Sequence, residues 1–175
     1  MFNMICVIID HFTYMVHLVP SLQTYRAKDI ADIMFDHVYK LHSIPCTIVS
    51  DQDSLFMGQF WDQLHKLIGI DLCKLSAYHP QSDGLTEHTN QMLGQMLCQC
   101  VSLTQQDWAV KLPAIEFTLN SARSDSTGFS PFFLNTGRTP RPMIWDSTSQ
   151  YPGVRIFASK MKEALLSAHD ALLTA

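Results

Sequence analysis

The chain has 175 residues, 47% of them hydrophobic and 16% charged, and a net charge of −4 from 12 Lys plus Arg against 16 Asp plus Glu. A domain of this length buries roughly 70% of its unfolded surface, so it builds a core without disulfide or metal staples. The longest apolar run, Met4 to Ile9, is far shorter than the about 20 residues a membrane helix needs, and no basic residue precedes it, which argues against a spanning segment and a secretory leader.

That run, extended to Asp10, reads as a strand buried on both faces. His11-Phe12-Thr13 turns the chain into a second strand, Tyr14 to Val19, which Pro20 closes. Ile30, Ile33, Met34, Val38 and Leu41 then recur at helical spacing between Ala27 and Leu41. Pro45 breaks that pattern, and Cys46 to Val49 forms a short buried strand that runs out at Ser50-Asp51. Phe60, Trp61, Leu64, Leu67 and Ile68 mark a second amphipathic helix with Gly69 as its stop. Ile70 to Leu75 is another strand. A polar loop rich in turn formers follows, Tyr78 to Gly84.

A long helix is expected from about Thr86 to Leu103, with Met92, Leu93, Met96, Leu97, Cys100 and Leu103 on its buried side. Trp108, Leu112, Ile115 and Leu119 continue the helical period, with Pro113 either starting a helix or kinking one. The stretch 143–153 is an extended linker, and 154–175 a final helix rich in Ala and Leu. Residues 1–142 therefore form the domain proper. The alternation of strands and helices implies an α/β layer fold with a mixed sheet.

The five cysteines are odd in number and scattered, which fits buried thiols in a reducing compartment. Cys100, Met92 and Met96 are core fillers. His37, His42 and Cys46 lack a fourth ligand at zinc-site spacing and read as structural. Trp61 and Trp108 fill the core. The charge balance offers no basic footprint for nucleic acid: Lys and Arg are absent between Lys74 and Lys111 and gather late, at Arg123, Arg138, Arg141, Arg155, Lys160 and Lys162.

Asp51 stands where a buried strand runs out, and Glu87 where a long helix begins. Strand ends and helix starts are where two-metal phosphoryl-transfer sites place carboxylate ligands for hard cations. By spacing alone the pair carries little weight, because 16 acidic residues offer many such pairs.

The surrounding strings carry more. Ile48-Val49-Ser50-Asp51-Gln52-Asp53, Phe60-Trp61, the run Ala77 to Gly84 followed by Thr86-Glu87, and Asn90 resemble the integrase catalytic core of Ty3/gypsy-type retrotransposons. So do Asp107-Trp108, Leu112-Pro113, Glu116-Phe117, Asn120 and Ser126-Thr127-Gly128-Phe129-Ser130-Pro131-Phe132. The resemblance runs in order from about residue 3 to about residue 142. It implies an RNase H-like fold of the retroviral-integrase type, with a mixed sheet flanked by helices. It also implies that Asp51 and Glu87 are the second and third acids of the catalytic triad and ligands of Mg²⁺ or Mn²⁺.

The activity implied is DNA integration by metal-dependent polynucleotidyl transfer, in which water or a DNA 3′-hydroxyl attacks a phosphodiester in line. Nucleic-acid contacts are expected from Tyr78, His79, Gln81, His88, Asn90 and Gln91. Partners would be retroelement ends, target DNA and a second copy through the core, in the nucleus or cytoplasm and without a membrane. Two departures qualify this. His88 stands where the family usually has Arg. The family's first catalytic Asp lies upstream of a turn into which Met1 falls, so the first strand and its Asp are expected to be missing and activity impaired. Asp10 is not its replacement: an antiparallel neighbour strand runs backwards, so Asp10 is read as a turn-capping residue. The alternative reading is a non-catalytic relic or domesticated fragment that dimerises or binds nucleic acid weakly.

Overall fold

The computed structural model describes residues 2–50, 59–74, 80–102, 105–141 and 149–175. Among these the elements are β1 (Met4–Ile9), β2 (Val16–Ser21), α1 (Ala27–Met34), a π-helical turn (Phe35–Tyr39) running into α2 (Lys40–His42), β3 (Thr47–Ser50), α3 (Gln59–Ile68), β4 (Asp71–Lys74), α4 (Pro80–Cys100), α5 (Trp108–Ser121), α6 (Pro131–Thr136) and α7 (Pro152–Thr174). They divide between two compact units.

The first unit comprises Met1–Met4 and Ser21–Leu85. Its sheet pairs β3 with β4 in parallel, in the register Thr47↔Asp71 to Ser50↔Lys74. Parallel neighbours need a crossover, and α3 supplies it. Trp61 is buried there at 1% exposure, beside buried Ile30, Met34 and Ile70, and the His65 ring lies 5.1 Å from the Trp61 ring. Gly69 ends α3 as its sequence position implies, at φ +72°, a conformation that costs glycine nothing. The helix expected over Ala27–Leu41 is continuous in course but widens into the π turn at Phe35–Tyr39.

The second unit comprises Ile5–Pro20 and Thr86–Ala175. β1 and β2 form a two-stranded sheet. The Asn3 N–H donates to the Ser21 carbonyl at one end and the Asp10 N–H to the Met15 carbonyl at the other, so the strands are antiparallel. Val16 and Leu18 of β2 join Leu93, Met96 and Cys100 of α4, Leu112 and Ile115 of α5, and Ala168 and Ala171 of α7 in one buried cluster. Each large apolar side chain fully buried there stabilises the fold by about 1.5–3 kcal/mol. The Cys100 thiol donates to the Ser167 carbonyl at 3.4 Å, tying α4 to α7.

Two expectations need correction. Pro20 does not close the second strand but lies inside β2. The reason is register. The residues of β2 that bond to β1 are odd-numbered, as at Met15 and Ser21, so Pro20 faces the outer edge, where a missing N–H breaks no ladder bond. Second, α4 starts at Pro80, six residues earlier than the polar composition suggests. Proline is preorganised for the first turn of a helix, where its N–H would be unpaired anyway.

The string Thr127 to Pro131 reads directly as local structure. Gly128 takes φ +73°. The Ser130 hydroxyl then accepts from the Phe133 N–H at 3.2 Å as the N-cap of α6, and Pro131 occupies the first turn. Pro113 lies within α5 rather than at its start.

Candidate functional site

Glu87 is the best-defined member of the proposed acid pair. It sits two turns inside α4, on its exposed side, rather than at the helix start. His88, Asn90 and Gln91 are also exposed. Glu87, Asn90 and Gln91 lie at i, i+3 and i+4 and so share one face. The opposite face is held by buried Thr89, Leu93 and Met96. A helix anchored one turn below presents its outward side chains from a fixed backbone, as a ligand-bearing helix requires. No lysine or arginine occurs anywhere in α4.

Asp51 follows β3 directly but lies outside the described residues, as do Tyr78 and His79. Ser50, the last residue of β3, is buried at 8% exposure, and the carboxyl ends of parallel strands are where α/β folds place functional groups. Gln81 falls in the first turn of α4 instead of a loop. No group of three or more His, Cys, Asp or Glu able to hold a metal ion occurs among the described residues. The donor chemistry suits the implied ion nevertheless: an exposed carboxylate oxygen at Glu87 is a hard ligand, of the kind Mg²⁺ and Mn²⁺ select.

Asp10 has a local task. Its Oδ2 accepts from the Thr13 N–H at 2.8 Å and from the Thr13 hydroxyl at 2.6 Å. Its own carbonyl accepts from the Tyr14 N–H at 2.8 Å, with Tyr14 at φ +60°. The carboxylate thereby closes the β1–β2 turn, which is the role its sequence position suggests.

A polar cluster to which the residue pattern assigned no role lies between β2 and α5. Asn120 accepts from the Val16 N–H through Oδ1 and donates through Nδ2 to the Val16 carbonyl, both at 2.8 Å. Glu116 accepts the Leu18 N–H at 2.8 Å through Oε2, and its Oε1 lies 3.1 Å from Nδ1 of buried His17. The available signal was two polar residues four apart on an otherwise apolar helix. Elsewhere, hydrogen bonds from the Ser102 hydroxyl (2.8 Å) and N–H (3.0 Å) hold the Asp107 carboxyl below its ordinary range, ahead of α5. Burial pushes the Cys6 thiol up. No helix among the described residues is long and apolar enough to cross a membrane.

Comparison with known proteins gives a consistent picture. No family model matches the chain. The transposon Tf2-3 and Tf2-4 polyproteins of Schizosaccharomyces pombe are each 32% identical to it over 133 residues, which is 75% of this chain and 10% of the polyprotein. The chain thus spans about a tenth of the length of these relatives. Among solved structures, a chain of the simian T-cell lymphotropic virus intasome, in complex with PP2A regulatory subunit B56 gamma, superposes with a TM-score of 0.63 at 20% identity, covering 83% of this chain and 53% of that one. The HTLV-2 integrase catalytic core domain in complex with magnesium (trimeric form) gives 0.58 at 18% identity, covering 75% and 83%. The catalytic core domain of BIV integrase gives 0.59 at 20%, covering 76% and 85%. The chain is a homologue of Ty3/gypsy-type Tf2 polyproteins and has the RNase H-like fold of retroviral integrase catalytic cores.

Proposed function

We propose that this Tf2 homologue works as the catalytic core of a retrotransposon integrase, a polynucleotidyl transferase acting on DNA. The homology to transposon polyproteins over three-quarters of the chain carries this reading. In it Asp51 and Glu87 offer carboxylate oxygens to Mg²⁺ or Mn²⁺. Such ions, when bound, stabilise charge on the attacking and leaving oxygens of a phosphodiester. The chain's own groups do the positioning. Burial of Leu93 and Met96 fixes α4, and hence the direction in which Glu87 is presented. The amides of Asn90 and Gln91 on the same exposed face donate to phosphate or base edges, with Tyr78, His79, Gln81 and His88 completing the contact. A helix without Lys or Arg provides hydrogen bonds but little counterion release, so DNA affinity is expected to be weak. Self-association through the core belongs to the same proposal.

Asp10 receives no catalytic role, because Thr13 engages its carboxylate twice. With two acids assigned, the ion is held loosely, and the chain alone is expected to be slow. Losing a metal clamp of several kcal/mol lowers the rate by several orders of magnitude, about tenfold for each 1.4 kcal/mol. The test is strand transfer of a labelled donor end into plasmid DNA with Mg²⁺ or Mn²⁺. It compares this chain with a version extended ahead of Met1 by a strand bearing an Asp, each with and without Glu87→Gln. The extended version should join ends in a Glu87-dependent manner, and this chain should match its own Glu87→Gln control. Joining by the extended version that survives Glu87→Gln would refute the assignment of Glu87.

A further inference from the structure

In an antiparallel ladder, the N–H and C=O of one residue point to the same side of the strand, and successive residues alternate. The odd-numbered residues of β2 serve β1, so its outer edge consists of Val16, Leu18 and Pro20. All three are closed to a further strand. Asn120 satisfies both polar groups of Val16, donating and accepting as a neighbouring peptide unit would. Glu116, one turn earlier on α5, takes the Leu18 N–H and also meets the His17 ring. Pro20 has no N–H to offer.

Two side chains at i and i+4 on one helix therefore do what a further strand would do. Yet β2 has the composition of a pairing strand, Val-His-Leu-Val. An edge presenting N–H, C=O and N–H at alternate residues is also self-complementary about a two-fold axis, the arrangement by which two identical strands pair antiparallel.

We infer that Glu116 and Asn120 form an edge guard, and that the outer edge of β2 beneath it is a latent strand-acceptor surface whose occupant is the same strand of a second copy of this chain. The guard keeps the sheet from growing on that side. Release of the α5 side chains opens Val16 and Leu18 to intermolecular pairing.

The experiment uses the full chain and a Glu116→Ala/Asn120→Ala variant, both followed by sedimentation velocity and by residue-resolved hydrogen exchange across a hundredfold range of concentration. In the parent, the Val16 and Leu18 amides should exchange slowly at every concentration, since the guard is intramolecular. In the variant they should exchange fast when dilute and slowly when concentrated, alongside a concentration-dependent dimer beyond any formed by the parent. Equal exchange of the two amides at all concentrations in the variant would overturn the inference, whether or not it associates elsewhere. So would fast exchange in the parent. Should the double variant lose its far-UV circular dichroism, Asn120→Asp, which removes only the donor to the Val16 carbonyl, is judged by the same concentration dependence.

Discussion

Replacing Asn120 with leucine keeps side-chain volume nearly constant while removing both hydrogen bonds to Val16. Asn120 and Val16 are each 5% exposed, so water cannot readily take over as partner. A buried backbone donor or acceptor left without a partner costs about 1–3 kcal/mol. Two such groups, each bonded at 2.8 Å in the parent, give an expected loss of about 2–6 kcal/mol. Against a typical total of about 5–15 kcal/mol this is large, and it corresponds to a fall in Tm of at least about 4 °C in a chain of this size. Urea denaturation followed by far-UV circular dichroism reads it as a lower midpoint with unchanged slope, since the surface exposed on unfolding is the same. Asn90→Leu is the matched control: Asn90 is exposed on α4, and a surface change of this kind shifts stability by no more than about 0.5 kcal/mol. If Asn120→Leu proves as mild as Asn90→Leu, Asn120 is not a buried partner of β2, and the reasoning about that edge fails with it.

Asp107 should titrate below the ordinary Asp range, chiefly through the Ser102 hydroxyl. A lowered folded-state value means stability that is present above the unfolded-state pKa and lost as pH falls through the folded-state one. Carboxyl NMR should therefore show Ser102→Ala moving the Asp107 midpoint upward, and an unmoved midpoint would refute the cause. Because thiolate is the reactive form, burial-raised Cys6 should alkylate with iodoacetamide more slowly at pH 8 (a routine labelling condition, near an ordinary thiol's midpoint of about 8.5) than exposed Cys46 and Cys98; equal labelling by mass spectrometry would count against it. β1 is paired only with β2 among the described residues, so its other edge should promote self-association, relieved by fusing a strand-forming segment ahead of Met1. A monodisperse monomer in sedimentation at roughly tens of micromolar, where exposed strand edges ordinarily associate, would contradict that.

Periodicity and local chemistry by themselves determined most of the elements here. The apolar run Met4–Ile9 became β1, Gly69 stopped α3, and the buried stripe Leu93, Met96 and Cys100 faced the core, because burial along a helix or strand follows directly from residue spacing. The turn role of Asp10 was legible for the same reason, its partners being only three and four residues away. The tertiary structure decided what depends on which edge faces which neighbour. Pro20 can stay inside β2 because register turns its missing N–H outward, and nothing in its immediate sequence states that register. Pro80 opens α4 six residues early, carrying Glu87 from the helix start to two turns inside. Glu116 and Asn120 meet Val16 and Leu18 across about a hundred residues of sequence. Their spacing announces only that they share a helix face; the packing of α5 against β2 turns that face into the missing partner of a strand.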